Sequence, residues 1–249
     1  MATRLHSVVF DAADPPALAR FWASATGWPI THEEPDEFVV QPLEDDAGSP
    51  TEPGLPLVFG PPVTDAKVGK NRLHLDLNSR SAQDQASQVE RLRRAGATPL
   101  DIGQGAVPWV VMADPEGNEF CVLDPRDEYA TAGALAAVVL DTPDPSALAP
   151  FWSAVTGRTA VTLPGGDVRL TRPDGAGPRL ELLRVANPKL AKNRVHLDVA
   201  PSAADDQSAE VARLQALGAR DADVGQGTQS WVVLADPDGN ELCVLRPQD

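Results

Sequence analysis

Hydrophobic and polar positions along the first half of the chain predict an alternation of strands with two amphipathic helices. The opening stretch, Leu5 to Phe10, is rich in residues that favour strands. Apolar side chains from Leu18 to Ala25 then recur at helical spacing. Asp14-Pro15 before them is typical of a helix start, and Gly27 after them is typical of a left-handed helix end. The pattern therefore predicts a strand followed by a helix that ends at Gly27.

The elements that follow are predicted to be shorter strands and one more helix. Residues 31–54 are rich in Glu, Asp, Pro and Gly, which predicts a solvent loop around a short strand at Phe38–Val40. Helical spacing returns at Ala82, Ala86, Val89 and Leu92 and ends at Gly96. Strands are predicted at 72–77, 109–113 and 119–123, with a proline- and glycine-containing hairpin turn at 114–118.

The same blocks return in the second half of the chain. Phe21-Trp22 recurs at Phe151-Trp152, residues 70–76 recur at 192–198, and residues 109–123 recur at 231–245. The offset is 130 for the first block (151 − 21) and 122 for the others (196 − 74), so the first copy carries about eight additional residues. Helical spacing in the second copy includes Ala204, Val211 and Leu214, and strands are predicted near 168–170 and 180–183.

Two modules of ordinary domain size account for the 249 residues. We predict modules at 1–126 and 134–249, joined by a polar linker at 127–133. The order of elements indicates an α+β protein, in which helices cover one face of an antiparallel-rich sheet and leave the other face free. The modules then either pair their sheets or curl each sheet around a cavity.

The formal net charge of −15 argues against nucleic-acid and anionic membrane partners, because like charges repel. The surface either attracts a cationic small molecule or simply keeps the protein soluble. No apolar run approaches the roughly 20 residues of a membrane span, and the first residues lack an apolar signal segment. We therefore expect a cytoplasmic protein. Cys121 and Cys243 lie in equivalent apolar strands, which predicts two buried thiols rather than a disulfide.

These motifs together resemble the vicinal oxygen chelate superfamily. The resemblance rests on the Leu-His-Ser-Val-Val strand, the Phe-Trp…Thr-Gly helix, the Lys-Asn-Arg-x-His-Leu-Asp strand and the Asp-Pro-x-Gly-Asn hairpin, and it covers both halves. The superfamily includes glyoxalase I, extradiol dioxygenases, fosfomycin-resistance enzymes and bleomycin-resistance proteins. The resemblance implies tandem glyoxalase-like modules of paired βαβββ motifs, with curved mixed sheets around a metal or ligand pocket. It does not fix the activity, because one fold hosts many chemistries.

Four strand positions supply the ligands in metal-using members of this superfamily, usually as His and Glu. The resemblance implies that each pocket combines two positions from one half with two from the other. One pocket then holds His6, Val58, His196 and Cys243, and the other holds Ala136, Glu181, His74 and Cys121.

Neither ligand set suits a hard cation, because each lacks one ligand and offers cysteine in place of a carboxylate. We therefore predict that no metal cofactor is bound. The alternative is a divalent ion, Zn, Ni, Mn or Fe, since nitrogen and thiolate ligands are acceptable to zinc. That ion is expected on His6, His196 and Cys243, or on His74, Glu181 and Cys121.

Other candidate ligand contacts carry two interpretations each. His74 and His196 alternate with Arg and Asp on their strands and are either hydrogen-bonded structural residues or ligand contacts. Trp109 and Trp231 are either aromatic pocket walls or core residues. Arg72 and Arg194 either bind an anionic ligand or pair with carboxylates of this acidic chain.

The leading hypothesis is a metal-free protein that binds a small organic molecule, cationic or aromatic, as bleomycin-resistance proteins do. The alternatives are a metal-dependent enzyme, either a lyase or isomerase of the glyoxalase I type or a dioxygenase, and a vestigial regulatory or scaffold module. The expected assembly is a monomer or homodimer. Because the copies differ at His6/Ala136 and Val58/Glu181, we predict that at most one pocket is specialised. The predicted ligand-binding residues are His6, His74, His196, Trp109, Trp231, Glu181, Arg72, Arg194, Cys121 and Cys243.

Overall fold

The computed structural model describes residues 3–42, 55–61, 63–186 and 189–247. The helices in these ranges are α1 Pro15–Thr26, α2 Ala82–Arg94, α3 Pro145–Thr156 and α4 Gln207–Ala216, with a 3-10 turn at Asp127–Tyr129. The strands before that turn are β1 Arg4–Phe10, β2 Ile30–Glu34, β3 Glu37–Val40, β4 Leu57–Phe59, β5 Leu73–Leu77, β6 Thr98–Pro99, β7 Val110–Ala113 and β8 Glu119–Val122. The strands after it are β9 Leu135–Thr142, β10 Thr159–Thr162, β11 Val168–Thr171, β12 Arg179–Arg184, β13 Val195–Ala200, β14 Arg220–Asp221, β15 Val232–Ala235 and β16 Glu241–Val244.

The strands form two eight-stranded mixed sheets, and each sheet draws on both copies of the repeat. Sheet A has the order β14-β15-β16-β13-β1-β4-β3-β2, and sheet B has the order β10-β11-β12-β9-β5-β8-β7-β6. The copies are joined by the antiparallel pairs β1–β13, in which Val9 faces His196, and β5–β9, in which His74 faces Val139. The tandem α+β architecture is confirmed, and each sheet contains strands from both sides of the predicted linker.

Helix ends follow the capping residues closely in the first helix of each copy. Asp14 accepts a hydrogen bond from the Ala17 amide at 3.0 Å, and Gly27 closes α1 at φ 76°. Asp144 and Gly157 end α3 in the same way. The second helix of the second copy begins later than predicted.

Asp206 is the cap of that later helix, and it accepts a hydrogen bond from Ala209 N at 2.8 Å. Ala204 therefore precedes α4 and does not belong to its apolar face. The predicted loop at 31–54 also needs correction, because β2 occupies Ile30–Glu34 and pairs with β3. The part of that loop at 43–54 lies outside the described residues.

The core lies between the sheets and the helices and is built from alternate strand residues. Val8 and Phe10 of β1 point into it, as the two-residue period of a strand requires. Trp22 and Trp152 are fully buried there, as the helical pattern predicted. Their indole N–H groups donate to Asp114 Oδ2 at 3.2 Å and Asp236 Oδ2 at 3.1 Å. Each hairpin turn is thereby tied to the first helix of its own copy.

Ion pairs join the two copies at the Lys-Asn-Arg turns. Lys70 Nζ lies 2.5 Å from Asp141 Oδ2, and Lys192 pairs with Asp11 in the equivalent arrangement. Asp141 and Asp11 are buried at the ends of the central strands β9 and β1. Each lysine therefore links its own copy to the first strand of the other, which reinforces the strand exchange.

Both cysteines are free and buried, as predicted. Cys121 lies in β8 of sheet B and Cys243 in β16 of sheet A, so the two strands are not neighbours. Among the described residues, no helix is long and apolar enough to cross a membrane.

Candidate functional site

The face of sheet A opposite the helices forms the floor of a 690 Å³ cavity. Val195, Leu197 and Val199 of β13 are buried in the core, and strand alternation therefore turns His196 and Asp198 to the other face. The cavity brings together side chains from both copies at four positions that the resemblance singled out, namely His6, Val58, His196 and Cys243.

His196, Asp198 and Cys243 form a compact cluster on this floor. Their ligand atoms all lie within 4.8 Å of one another, and His196 Nε2 is 3.6 Å from Asp198 Oδ1. The Cys243 thiol donates to the Asp198 carboxylate. Asp198 was placed on the same strand face as His196 from the sequence, but it was not among the predicted ligand-binding residues.

Burial keeps this cluster close to electrical neutrality. It lowers the pKa of His196 to about 3 and raises the pKa of Asp198 to about 7. Burial, followed by the nearby Asp198 charge, also raises the pKa of the Cys243 thiol. A thiol held in its protonated form is a poor nucleophile, so the cluster does not resemble an activated cysteine site.

Two atoms of the cluster are buried without a hydrogen-bond partner, His196 Nδ1 and Asp198 Oδ1. Buried polar atoms usually have a partner, and the cost of leaving one unpaired is about 1–3 kcal/mol. The equivalent atoms of sheet B, His74 Nδ1 and Asp76 Oδ1, are unpaired in the same way.

His6 lies at a bulge of β1, between the paired residues Leu5 and Ser7. Its Nδ1 is 3.2 Å from Ser7 Oγ, and that hydroxyl donates to Asp198 Oδ2 at 3.4 Å. Burial and the charge of Arg4 lower the pKa of His6. His6 is thus connected through Ser7 to the cluster. The sequence reasoning also missed Ser7, whose counterpart in the second copy, at the offset of 130, is Ala137.

The corresponding face of sheet B holds His74, Asp76 and Cys121, also within 4.8 Å of one another. His74 Nε2 is 3.6 Å from Asp76 Oδ1. Burial lowers the pKa of His74 to about 3 and, together with the charge of Glu181, raises the pKa of Asp76 to about 7. The polar cluster is therefore common to both copies, and the difference between the two faces lies elsewhere.

Tyr129 occupies the sheet B face. This residue, the single tyrosine of the chain, belongs to the 3-10 turn at the start of the predicted linker and is only 1% exposed. Its hydroxyl donates to Glu181 Oε1 at 2.6 Å. Arg169 Nε donates to the same oxygen at 2.7 Å, and the Arg169 guanidinium lies 5.1 Å from the tyrosine ring centroid. The Tyr129 ring therefore occupies the face of sheet B that corresponds to the cavity face of sheet A.

Neither Tyr129 nor Arg169 was among the predicted site residues, because the linker was predicted to be only a polar connection. A lone aromatic residue in a polar segment was the available signal for Tyr129. Its contacts are with a cluster that includes Cys121, Leu123, Ala132 and Ala136. Ala136, the counterpart of His6, is small enough to leave room for the ring.

Trp109 and Trp231 occupy different environments despite their equivalent positions. Each indole N–H donates to a glutamine of the preceding Gly-Gln-Gly turn, Gln104 at 2.9 Å and Gln226 at 3.1 Å. Trp109 packs against the Tyr129 cluster and lies 5.5 Å from the Arg126 guanidinium. Trp231 instead lines the sheet A cavity.

Arg72 and Arg194 lie away from the sheet A cavity, at a second cavity of 690 Å³ between the two Lys-Asn-Arg turns. Arg194 lies 3.3 Å from Glu116, and Arg72 donates to the Asp141 carbonyl at 2.8 Å. Lysines of this second cavity pair with carboxylates, as Lys67 does with Glu119 at 2.7 Å. The positive charge here is therefore largely balanced by the chain's own acids.

The residues on the sheet A floor fit a metal ion only in part. Val58 offers no donor atom, so the four family positions do not form a complete set for a hard cation. The compact cluster of His196, Asp198 and Cys243 offers nitrogen, oxygen and sulfur, which suits zinc. On sheet B, Glu181 stands at the position of Val58, and it already accepts hydrogen bonds from Tyr129 and Arg169.

The chain belongs to the glyoxalase-like domain family, which matches residues 7–123 and 137–245. The two matched ranges correspond to the two copies of the repeat. No curated protein matches the sequence.

Solved structures with the same fold span the whole chain. A candidate dioxygenase from Bacillus subtilis has a TM-score of 0.65 at 13% identity, with 100% of this chain and 86% of that chain covered. Glyoxalase I from Zea mays has a TM-score of 0.64 at 15% identity, with 98% of this chain and 92% of that chain covered. At these identities the likeness shows the tandem fold and does not transfer an activity.

Proposed function

We propose that this protein binds one small organic molecule per chain, in the cavity on sheet A. The observation that carries the proposal is the contrast between two equivalent faces. Tyr129 and the Arg169–Glu181 ion pair fill the sheet B face, whereas the sheet A face carries a 690 Å³ cavity. Cavities of about 300–1,000 Å³ are the usual size for small-molecule sites.

The charges around the cavity favour a ligand with an anionic group. Arg4, Arg158 and Arg172 line it, against the acidic Glu37 and Asp198. Arg172 is balanced by Asp174, to which it donates two hydrogen bonds. The cavity is thus less acidic than a chain of net charge −15 suggests. We therefore propose an anionic ligand, and not the cationic ligand that the overall charge led us to expect.

Arg158 is the best-placed anchor for such an anion. Its side chain is buried, and its guanidinium donates to the Pro178 carbonyl at 2.6 Å. Burial and the charge of Arg179 lower the pKa of Arg158 to about 10, so the cation is held at a desolvation cost. A bound carboxylate would offset that cost through a charge-assisted hydrogen bond.

A second candidate function is a zinc-dependent lyase or isomerase, and it is favoured by the His196–Asp198–Cys243 cluster. His196, Asp198 and Cys243 would hold the ion, and Ser7 and His6 would border it. Zinc at such a site supplies Lewis acidity to an oxygen of the substrate.

Calorimetric titration and thermal-shift screening with matched organic anions and cations test the leading proposal. We expect anions to bind with one site per chain, and Arg158→Gln to weaken them by at least about tenfold. Val58→Phe, which narrows the cavity, should also abolish binding. Val161→Phe, on an exposed position of β10, should leave it unchanged. Preferential binding of cations, or binding that survives Val58→Phe, would contradict the proposal.

Elemental analysis of protein purified without chelators distinguishes the second candidate. The leading proposal expects substoichiometric zinc. One zinc per chain that is lost in His196→Ala and kept in His74→Ala would favour the enzyme instead. Two zinc ions per chain would show that both clusters bind metal, including the one beneath Tyr129.

A further inference from the structure

We propose that the sheet A cavity contains a subsite for an aromatic ring, and that the Tyr129 side chain is its internal counterpart on sheet B. This inference rests on the proposed binding function and adds the class of ligand. The internal repeat allows the two faces to be compared, because the Tyr129 ring occupies the sheet B face and the sheet A face carries a cavity instead.

Three side chains of the cluster around the ring are repeated at the offset of 122. On sheet B, Tyr129 packs in a cluster with Cys121, Leu123 and Trp109. Their counterparts Cys243, Leu245 and Trp231 all line the sheet A cavity.

The orientation of the tryptophan is repeated as well. Gln226 holds the Trp231 indole at 3.1 Å, as Gln104 holds Trp109 at 2.9 Å. Three walls of the ring position therefore recur on sheet A, where His6 stands in place of the small Ala136, so a ligand ring would lie against these walls beside the imidazole.

The residues beside the far edge of the ring, which carries the hydroxyl in Tyr129, differ between the two faces. On sheet B, Glu181 is paired in register with Arg169, and both contact the tyrosine hydroxyl. On sheet A the matching register pairs Val58 with Val39. A hydroxyl in that place would lose its water and gain neither the carboxylate nor the guanidinium that hold the tyrosine hydroxyl on sheet B, which disfavours it. The subsite therefore selects a ring whose far edge is apolar.

The nearer part of the cavity supplies the polar recognition. His6 replaces Ala136 and lines the cavity, so it places an imidazole beside the ring position. Arg4 and Arg158 line the same cavity and favour a negative charge. The ligand class that fits both ends is an aromatic carboxylate without a hydroxyl opposite its acidic group.

Phenylacetate, 4-hydroxyphenylacetate, cyclohexylacetate and phenethylamine test this class by calorimetric titration of the full chain. We expect phenylacetate to bind with one site per chain. We expect it to bind about tenfold tighter than the hydroxylated and the saturated analogues, and phenethylamine to bind weakest. Trp231→Leu should remove the preference for the aromatic ring. Trp109→Leu, the matched change on the filled face, should keep it.

A cavity opened on sheet B provides the reciprocal test. Tyr129→Gly should bind p-cresol, with a rise in melting temperature that the wild-type protein does not show. Toluene, which lacks the hydroxyl, should raise the melting temperature less, because Glu181 and Arg169 are then left without it. Absence of any p-cresol effect on a folded Tyr129→Gly variant would overturn the assignment of this face as a ring site.

If Tyr129→Gly does not fold, the double substitution Val39→Arg and Val58→Glu tests the same comparison on sheet A. It should shift the preference from phenylacetate towards 4-hydroxyphenylacetate, and an unchanged preference would overturn the inference. Binding of acetates without a ring preference would overturn the ring subsite and leave the proposed function intact. If neither the four probes nor a broad set of other organic anions binds, the proposed function itself fails.

Discussion

The Tyr129 hydroxyl donates a 2.6 Å hydrogen bond to Glu181 Oε1 across the concave face of sheet B. Tyr129 comes from the segment that joins the two copies, and Glu181 comes from β12 of the second copy. The same face of sheet A has Val58 in place of Glu181 and an open cavity. This one contact therefore distinguishes two faces that are otherwise equivalent.

Tyr129→Phe removes the hydroxyl and leaves the ring in place. We expect the free energy of unfolding to fall by about 1 kcal/mol, because Glu181 keeps its ion pair with Arg169. Tyr129→Ala also removes the ring and should cost about 3–5 kcal/mol, as for other large-to-small core changes. Urea denaturation measures both. Equal effects of the two substitutions would show that the ring contributes no packing energy.

The paired histidine and aspartate of each face should contribute opposite pH dependences to the free energy of unfolding. The folded pKa of His196 is lowered to about 3, so the unfolded chain binds more protons between about pH 3 and 6.5, and this term makes stability rise with pH. The folded pKa of Asp198 is raised to about 7. The folded chain therefore binds more protons between about pH 4 and 7, and this term makes stability fall. The two terms largely cancel in the wild-type protein.

Single substitutions should expose each of these terms. Relative to the wild-type protein, His196→Gln should become less stable as pH rises from about 4 to 6.5, and Asp198→Asn should become more stable over the same range. Each slope should approach 1.4 kcal/mol per pH unit at most. Denaturant unfolding at a series of pH values measures them. Parallel curves for all three proteins would show that neither group titrates abnormally.

The thiols of Cys121 and Cys243 should be unreactive in the folded protein. Both side chains are buried, and burial with a neighbouring aspartate raises both pKa values. A chromogenic disulfide reagent at pH 8 should therefore modify neither thiol until denaturant is added, and then two per chain. Rapid reaction of one thiol in the native state would show that its thiolate is stabilised, against the raised pKa.

Because each sheet contains strands from both copies, fragments that contain one copy should fold poorly alone. Residues 1–126 contain β1–β4 of sheet A and β5–β8 of sheet B, so as a monomer this fragment lacks the partner strands β9 and β13. We expect monomeric 1–126 and 127–249 each to be poorly ordered, and an equimolar mixture to form a folded 1:1 complex held by β1–β13 and β5–β9 pairing. Two-dimensional NMR of each fragment and of the mixture shows this directly.

A fragment that folds as a monomer would contradict that expectation. Lys70→Met in the intact chain provides a milder probe of the same contact between copies. It leaves the buried Asp141 without its ion-pair partner, so it should destabilise the whole protein in a single transition. Separate transitions for the two halves would show that the copies fold independently.

The sequence by itself determined the local and repeated features of this protein. Caps such as Asp14 and Gly27 set the ends of a helix through contacts a few residues away, and alternation predicted the buried faces of strands such as 195–199. The doubled motifs also indicated the glyoxalase-like family. These features are recoverable because their physical causes lie within one turn or one strand.

Only the tertiary structure decided which face carries the cavity. The register that places Val58 beside Val39, and Glu181 beside Arg169, depends on strand pairing and not on local spacing. The course of Tyr129 from a polar segment into the sheet B face depends on space that the small Ala136 leaves. Burial of a lone ring and an ion pair is stabilised by contacts far apart in the chain, and no local pattern encodes it.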